Sequence, residues 1–256
     1  MDIKPKNWLL LRGLAREKRH WGIFPALLKE YFPDHNFYPL ELPGVGQKVK
    51  MSAMSTIDGY ADHLREEWLH LKRESDGPWG IIAISMGGMI AMNWCARYQS
   101  DMAALVLMNT SGGNLSAPHH RFSPSALKMV IKLFFKENYQ ERERAILELT
   151  TRKADISTEL IHEYATYSAE HPIKRKNFLK QIYAAAKFKV PLKINTPLLI
   201  LAGKHDGLAH YKCSRTLADH FKAKTVLNEE AGHDLPLEDP IWIAEQIDSF
   251  LKAAYS

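Results

Sequence analysis

The chain has 256 residues, of which 46% are hydrophobic, and this length and content suit one domain with a sizeable core. The net charge of +5 is too mild to argue for nucleic acid, and no run approaches the roughly 18 apolar residues of a membrane span. Cys95 and Cys213 make no disulfide framework and no signal peptide is recognisable, so we expect a cytoplasmic protein with free thiols.

Short apolar strands alternate with helical patterns along the first 110 residues and again after residue 195. The predicted strands cover 7–11, 37–42, 79–82, 104–108, 196–201 and 225–227. The predicted helices cover 25–31, 56–73, 89–98, 210–221 and 241–254. This alternation predicts an α/β fold, in which a doubly wound and mostly parallel sheet is covered by helices on both faces.

Residues 111–195 interrupt the alternation, because no strand pattern occurs there. Four helices are predicted, over 124–136, 139–152, 157–168 and 173–188. We therefore expect a core formed by residues 1–110 and 196–256, with a helical subdomain inserted at 111–195. No internal repeat or low-complexity tract is recognisable.

A serine lies at the turn after the third predicted strand, in Ala83-Ile84-Ser85-Met86-Gly87-Gly88. A strand, a sharp turn with serine at its apex and a helix are the setting of a serine nucleophile. Only small residues fit two positions before and two positions after that serine, and Ala83 and Gly87 fill those positions. Alone, the motif is also compatible with a serine that merely caps the helix.

An acid and a histidine follow two later strands. Asp206 comes after the strand at 196–201, and His233 comes after the last strand, behind a glycine. The chain order Ser, Asp, His resembles the α/β-hydrolase superfamily. The resemblance implies that Ser85 is a nucleophile, that His233 is its base and that Asp206 orients the histidine. The alternatives are a loop histidine that binds backbone and an aspartate that only closes a turn.

The usual fold of this superfamily opens with an antiparallel hairpin, and this chain departs from that plan. Only six residues precede the first predicted strand, too few for two further strands. We therefore expect about six strands without the hairpin. Pro39 agrees, since proline in a strand is tolerated mainly at a sheet edge, which makes 37–42 the expected edge strand. The resemblance also implies that the insertion at 111–195 is a helical lid over the pocket.

The resemblance also implies an oxyanion hole made of two backbone N–H groups. Met86 follows the nucleophile, and Leu14 is the second donor by its position after the first strand. Many relatives carry His-Gly where this chain has Arg12-Gly13. The charged loop that follows, with Arg16, Arg19, His20 and Trp21, is either within reach of a substrate carboxylate or phosphate or simply solvated. The substrate pocket is expected to include Arg12, Trp21, Met129 and Phe134.

No cofactor or metal site is predicted. His119 and His120 are adjacent, but neighbours in sequence rarely share one ion, and no cysteine or carboxylate pattern joins them. Gly44-Val45-Gly46 is better interpreted as a turn than as a phosphate loop.

These observations predict a hydrolase that cleaves a carboxylic ester or thioester of a small molecule through an acyl-serine intermediate. A C–C bond hydrolase of the same fold and a non-catalytic ligand receptor that kept the fold are the alternatives. The chain is also similar in size and lid position to esterases that demethylate a pimeloyl group on acyl carrier protein. Residues 119–195 hold fifteen Lys and Arg against eight Asp and Glu, so an acidic carrier protein is a possible partner and a solvated helical face is the other interpretation.

Overall fold

The computed structural model describes residues 4–122, 124–134, 136–152 and 155–255. Six strands form one sheet: β1 (Asn7–Leu11), β2 (Asn36–Leu40), β3 (Trp79–Ile84), β4 (Ala104–Met108), β5 (Leu198–Gly203) and β6 (Lys224–Asn228). Their order is β2-β1-β3-β4-β5-β6, and every neighbouring pair is parallel. The prediction of a parallel sheet with about six strands is confirmed.

Pro39 lies opposite Leu10 in the pairing of β2 with β1, and β2 is an edge of the sheet. A proline has no N–H to donate to a second neighbour, so the edge is the place where it costs least. The predicted edge strand is therefore confirmed, although it ends at Leu40 instead of residue 42.

Helices cover both faces of the sheet and fill the connection between β4 and β5. They are α1 (Phe24–Tyr31), α2 (Ile57–Glu74), α3 (Met86–Arg97), α4 (Pro118–Arg121), α5 (Pro124–Phe134), α6 (Tyr139–Thr150), α7 (Thr158–Glu170), α8 (Arg175–Lys187), α9 (Lys212–Phe221), α10 (Leu235–Glu238) and α11 (Pro240–Ala254). The sequence pattern does not predict α4 and α10, because four residues are too few to show helical periodicity.

The alternation of side chains along β3 divides the apolar core in two. Ile81 and Ala83 pack in the cluster that contains residues of α2, α3 and α9. Ile82 and Ile84 pack in the second cluster, with residues of α1 and α11. Since successive side chains of a strand point to opposite faces, a strand that is buried along its whole length needs a helical layer on each side.

The connection between β4 and β5 contains α4 to α8. Its four longer helices lie close to the predicted ones. One of them is tied to the core, because the carbonyl of Thr150, the last residue of α6, accepts hydrogen bonds from the amides of His233 (2.8 Å) and Asp234 (3.0 Å). The division of the chain at residues 110 and 195 stays a prediction.

Candidate active site

Ser85 lies at the elbow between β3 and α3 with a positive φ of 57°. Such a backbone is strained for a residue with a side chain and persists only when its surroundings impose it. Here the Ser85 amide donates to Met108 O at 2.9 Å, and the Thr110 hydroxyl donates to Ser85 O at 2.7 Å. The Ser85 side chain makes no capping hydrogen bond to α3, so helix capping does not explain the serine.

Small residues allow the elbow to pack against the loop after β1. A Cβ on Gly87 would lie 2.3 Å from the carbonyl oxygen of Leu11, and a Cβ on Gly13 would lie 2.9 Å from Cβ of Ser85. Both distances are shorter than real side chains tolerate, which gives a physical reason for glycine at each position.

Asp206 and His233 meet at the carboxyl ends of β5 and β6. The Nδ1 atom of His233 lies 2.7 Å from Oδ2 of Asp206, and the Asp206 side chain is fully buried. The other carboxylate oxygen, Oδ1, accepts from the amides of Leu208 (2.7 Å) and Ala209 (2.8 Å). Asp206 therefore closes a turn with one oxygen and contacts the histidine with the other, and its catalytic role stays a prediction.

Burial of the His233 ring opposes its charged form, but the carboxylates of Asp206 and Asp234 outweigh that effect. Together they hold the pKa of His233 above its ordinary value, while nearby Arg12 acts in the opposite direction. A histidine in this setting accepts a proton readily and stabilises the charge that it gains.

Asn109 supports the histidine loop, and the sequence analysis assigned it no role. Its side-chain amide donates to the carbonyls of Gly232 (3.0 Å) and His233 (2.7 Å), and its oxygen accepts from the amide of Gly203 (2.9 Å). The residue is buried and has a positive φ of 47°, a conformation that asparagine tolerates better than most residues. Asn109 thus fixes the end of β5 and the histidine loop in one arrangement.

Leu14 and Met86, the predicted oxyanion donors, both line the larger of two cavities beside Ser85. Within the residues that the structure describes, neither backbone amide donates to a protein acceptor. Both residues therefore border the cavity beside Ser85, and their role as oxyanion donors stays a prediction.

The loop after β1 is buried and ion-paired. Arg12 is 3% exposed and forms two parallel hydrogen bonds with the carboxylate of Asp234, at 2.9 and 2.8 Å. Arg16 is also buried and lies 2.5 Å from Glu143 of α6. The interpretation of the charged loop that follows Arg12 as solvated is therefore wrong for Arg16, because this residue is paired with a carboxylate inside the protein.

The other predicted pocket residues have different positions. Trp21 is buried against Arg12 and Phe24 and lines neither of the two cavities. Met129 is 40% exposed and lines neither of them, whereas its neighbour Val130 lines the smaller one. Phe134 ends α5, and its side chain lies outside the described part of the structure.

Two cavities flank the pair of Ser85 and His233, and both residues line each of them. The larger, of about 500 Å³, is bordered by apolar side chains that include Met89, Phe122 and Ile182. The smaller, of about 100 Å³, is bordered by both buried ion pairs, Arg12–Asp234 and Arg16–Glu143. Ser85 and His233 thus lie between an apolar chamber and a smaller one whose lining includes two buried ion pairs.

Comparison with known proteins identifies the family. The model of the family described as "Serine aminopeptidase, S33" matches residues 31–240. The chain belongs to the serine aminopeptidase S33 family. Its members are serine hydrolases of the α/β-hydrolase fold, which confirms the resemblance and makes the chain a hydrolase of that type.

Individual proteins that resemble this chain share about a fifth to a quarter of its residues. Monoacylglycerol lipase ABHD6 of Bos taurus is 23% identical over 97% of this chain and 76% of its own length. "Putative carbamate hydrolase RutD" of Pseudomonas syringae pv. syringae is 25% identical over 95% of this chain and 92% of its own length. The crystal structure of a bacterial membrane phospholipase A superposes with a TM-score of 0.78 at 19% identity, over 98% of this chain and 79% of that one.

Two further properties of the described residues concern membranes and metals. Every helix in this part of the chain is too short or too polar to cross a bilayer. Among the same residues, no group of three or more His, Cys, Asp or Glu side chains is arranged to hold a metal ion.

Proposed function

We propose that this S33 hydrolase cleaves a carboxylic ester through an acyl-serine intermediate on Ser85. The observation that supports this best is that Ser85, on its strained elbow, and His233, bound to Asp206 at 2.7 Å, border the same two cavities. A serine hydroxyl needs a base to act as a nucleophile near neutral pH, and an oriented histidine is such a base.

In the proposed reaction, His233 takes the proton of the Ser85 hydroxyl as its oxygen attacks the ester carbonyl. The amides of Leu14 and Met86 would stabilise the oxyanion that forms. The tetrahedral intermediate collapses to the acyl-serine, and His233 donates the proton to the departing alcohol. Water then attacks the acyl-serine by the same route and releases the acid. Asp206 keeps Nδ1 of the imidazole protonated, so that the other ring nitrogen serves as the base.

The larger cavity suits the acyl chain of such a substrate. Its volume of about 500 Å³ is within the usual range for small-molecule sites, and its border is mainly apolar. The lipase among the relatives agrees with an apolar acyl group, and the carbamate hydrolase makes a carbamate the second bond to test. The acyl carrier protein stays a prediction from charge, since no relative named above is described by such a partner.

A fluorophosphonate probe and a panel of nitrophenyl esters test the proposal. We expect the wild type to be labelled, Ser85→Ala to escape labelling, and hydrolysis to increase from acetate to a medium-length acyl chain as the larger cavity fills. Labelling of Ser85→Ala to the wild-type extent would contradict the assignment of the nucleophile. Labelling without hydrolysis of any ester would favour the carbamate, a thioester or a C–C bond.

A further inference from the structure

The positive charge of the insertion is concentrated in one segment. Residues 119–195 have a net charge of +7, yet the segment 171–195 contains seven Lys and Arg and no Asp or Glu. The remaining residues of the insertion therefore have equal numbers of basic and acidic side chains. The whole excess belongs to α8 and the residues that flank it.

One stripe of α8 combines this charge with exposed apolar side chains. Lys176, Leu179, Lys180, Tyr183 and Lys187, which we call the α8 stripe, follow each other at spacings of one to four residues and share the outer face of the helix. Leu179 is 50% exposed and Tyr183 is 55% exposed. The ammonium group of Lys187 lies 5.9 Å from the Tyr183 ring, so cationic and apolar groups are interleaved.

A neighbouring loop extends this surface. The carbonyl of Met51 accepts from the side-chain amide of Asn177 at 2.9 Å, and Lys180 donates to the Ser52 hydroxyl at 2.8 Å. Met51 is 40% exposed, and the exposed Lys50 precedes it. The loop therefore adds one apolar side chain and one cation beside the α8 stripe.

The opposite face of α8 borders the candidate active site. Ile182, Ala185 and Ala186 line the larger cavity, and Phe178 lines the smaller one. Ala186 is exposed as well, as are Pro118 and His119 of α4, which border the same cavity. The larger cavity is thus bordered by exposed residues of α4 and of the C-terminal end of α8, next to the last residues of the α8 stripe.

We propose that the α8 stripe binds an anionic lipid–water interface, from which an acyl ester substrate enters the larger cavity. A helical face with lysines beside leucine and tyrosine fits such an interface, since the ammonium groups meet anionic headgroups while the apolar side chains enter the acyl boundary. The binding surface stands on the charge and exposure of α8, whereas the substrate it delivers rests on the proposed function.

Vesicle binding by the full chain tests this surface without relying on hydrolysis. We expect Ser85→Ala to sediment with phosphatidylcholine vesicles that contain about one third phosphatidylglycerol, and to stay in solution with pure phosphatidylcholine. Binding should weaken as salt is raised, because exposed charges are screened. Binding to neither vesicle, or equal binding to both, would overturn the proposal.

Charge reversal tests whether the lysines of the α8 stripe are responsible for vesicle binding. Lysines near an anionic membrane contribute roughly fivefold each to binding, so Lys176→Glu, Lys180→Glu and Lys187→Glu together should weaken it by at least about 100-fold. The matched control reverses Lys4, Lys222 and Lys224, three exposed lysines near the starts of β1 and β6, at the end of the sheet away from the site. Equal losses in both triple variants would show that net charge alone is responsible and would refute the surface.

An acidic protein is the competing occupant, and an apolar variant separates it from lipid. Leu179→Ser with Tyr183→Ser keeps every charge and should still weaken vesicle binding about tenfold or more. If that variant binds vesicles as the wild type does, and soluble polyglutamate competes fully for the site, the surface is a dock for an acidic protein and the lipid proposal is wrong.

Hydrolysis of a soluble nitrophenyl ester measures catalysis separately from vesicle binding. Both triple lysine variants should cleave it within about twofold of the wild type, because none of these side chains lines either cavity. If the wild type cleaves no ester but binds anionic vesicles, the proposed function fails and the binding surface remains. If it cleaves esters but does not bind the vesicles, the binding surface fails and the proposed function remains.

Discussion

The Arg12 guanidinium and the Asp234 carboxylate form a bidentate ion pair between two loops that are 222 residues apart in the chain. Arg12 belongs to the loop that supplies Leu14, and Asp234 directly follows His233. Burial opposes the charged carboxylate, but Arg12 outweighs it and keeps the pKa of Asp234 below its usual value. The pair therefore joins the proposed oxyanion donor to the proposed base.

Removing one member of this buried pair should cost more stability than removing both. Arg12→Met leaves a buried carboxylate without its partner, and we expect a loss of about 3–5 kcal/mol in the free energy of unfolding. Arg12→Met combined with Asp234→Leu should recover a large part of that loss, because no uncompensated charge remains. Urea unfolding of the wild type, both single variants and the double variant gives the coupling, and strictly additive losses would mean that the two residues act independently.

Ser85→Ala should abolish ester hydrolysis and keep the fold. Loss of the nucleophile of a serine protease lowers turnover by about 10⁶-fold, and a similar loss is expected here. The fold should hold because the Ser85 side chain makes no capping bond to α3. The measurement is turnover of a nitrophenyl ester beside a thermal unfolding curve, and a variant that retained more than a few per cent of activity would exclude Ser85.

Because the two oxygens of Asp206 have different partners, two substitutions of this residue should separate its effect on turnover from its effect on stability. Asp206→Asn keeps an oxygen for the amides of Leu208 and Ala209, but it no longer presents a carboxylate to His233. We expect turnover to fall by about 10⁴-fold with little change in stability. Asp206→Ala should lose similar activity and also about 1–3 kcal/mol of stability, because two backbone donors lose their acceptor. Wild-type turnover by Asp206→Asn would show that another acid serves.

The pH profile should reflect the raised pKa of His233. The base must be neutral to accept the serine proton, so kcat/KM should rise with pH through one ionisation whose midpoint lies above the ordinary histidine value of about 6.5. Asp234→Asn removes a carboxylate that favours the charged ring and leaves Arg12, which disfavours it. The midpoint should therefore move to lower pH in this variant, and an upward shift or a flat profile would contradict a His233 base.

The sequence predicted the sheet, its edge strand and the candidate Ser85, Asp206 and His233, because each has a local signature. Apolar runs mark buried strands, Pro39 marks an edge, and small residues mark a sharp turn. Each of these signals lies within a few neighbouring positions of the chain.

The ion pairs of Arg12 and Arg16 could not be predicted, because no local sequence pattern marks their partners. Charged residues in a loop are usually solvated, and nothing near Arg12 in the sequence indicates that Asp234 faces it across the fold. Glu143 stands between Arg142 and Arg144 in the sequence, so its burial against Arg16 depends on how α6 packs on the core. Tertiary pairing of this kind is set by the assembled structure and not by any local pattern.

Asn109 should be a positioning residue whose exchange for aspartate is harmful. An aspartate there would face the carbonyls of Gly232 and His233, which now accept from the Asn109 amide. Asn109→Asp should therefore destabilise the chain by about 1–3 kcal/mol or more and lower kcat more than it raises KM, since the histidine loop is displaced while the cavities remain.

The same exchange tests whether β4 can supply the acid. In the background of Asp206→Asn, a carboxylate at Asn109 would restore turnover only if it reached Nδ1 of His233, but this side chain is directed at the backbone of the loop. We expect Asn109→Asp with Asp206→Asn to be no more active than Asp206→Asn alone. Recovery of activity by tenfold or more would show that the loop can rearrange around a new acid, and the fixed arrangement inferred for Asn109 would then be wrong.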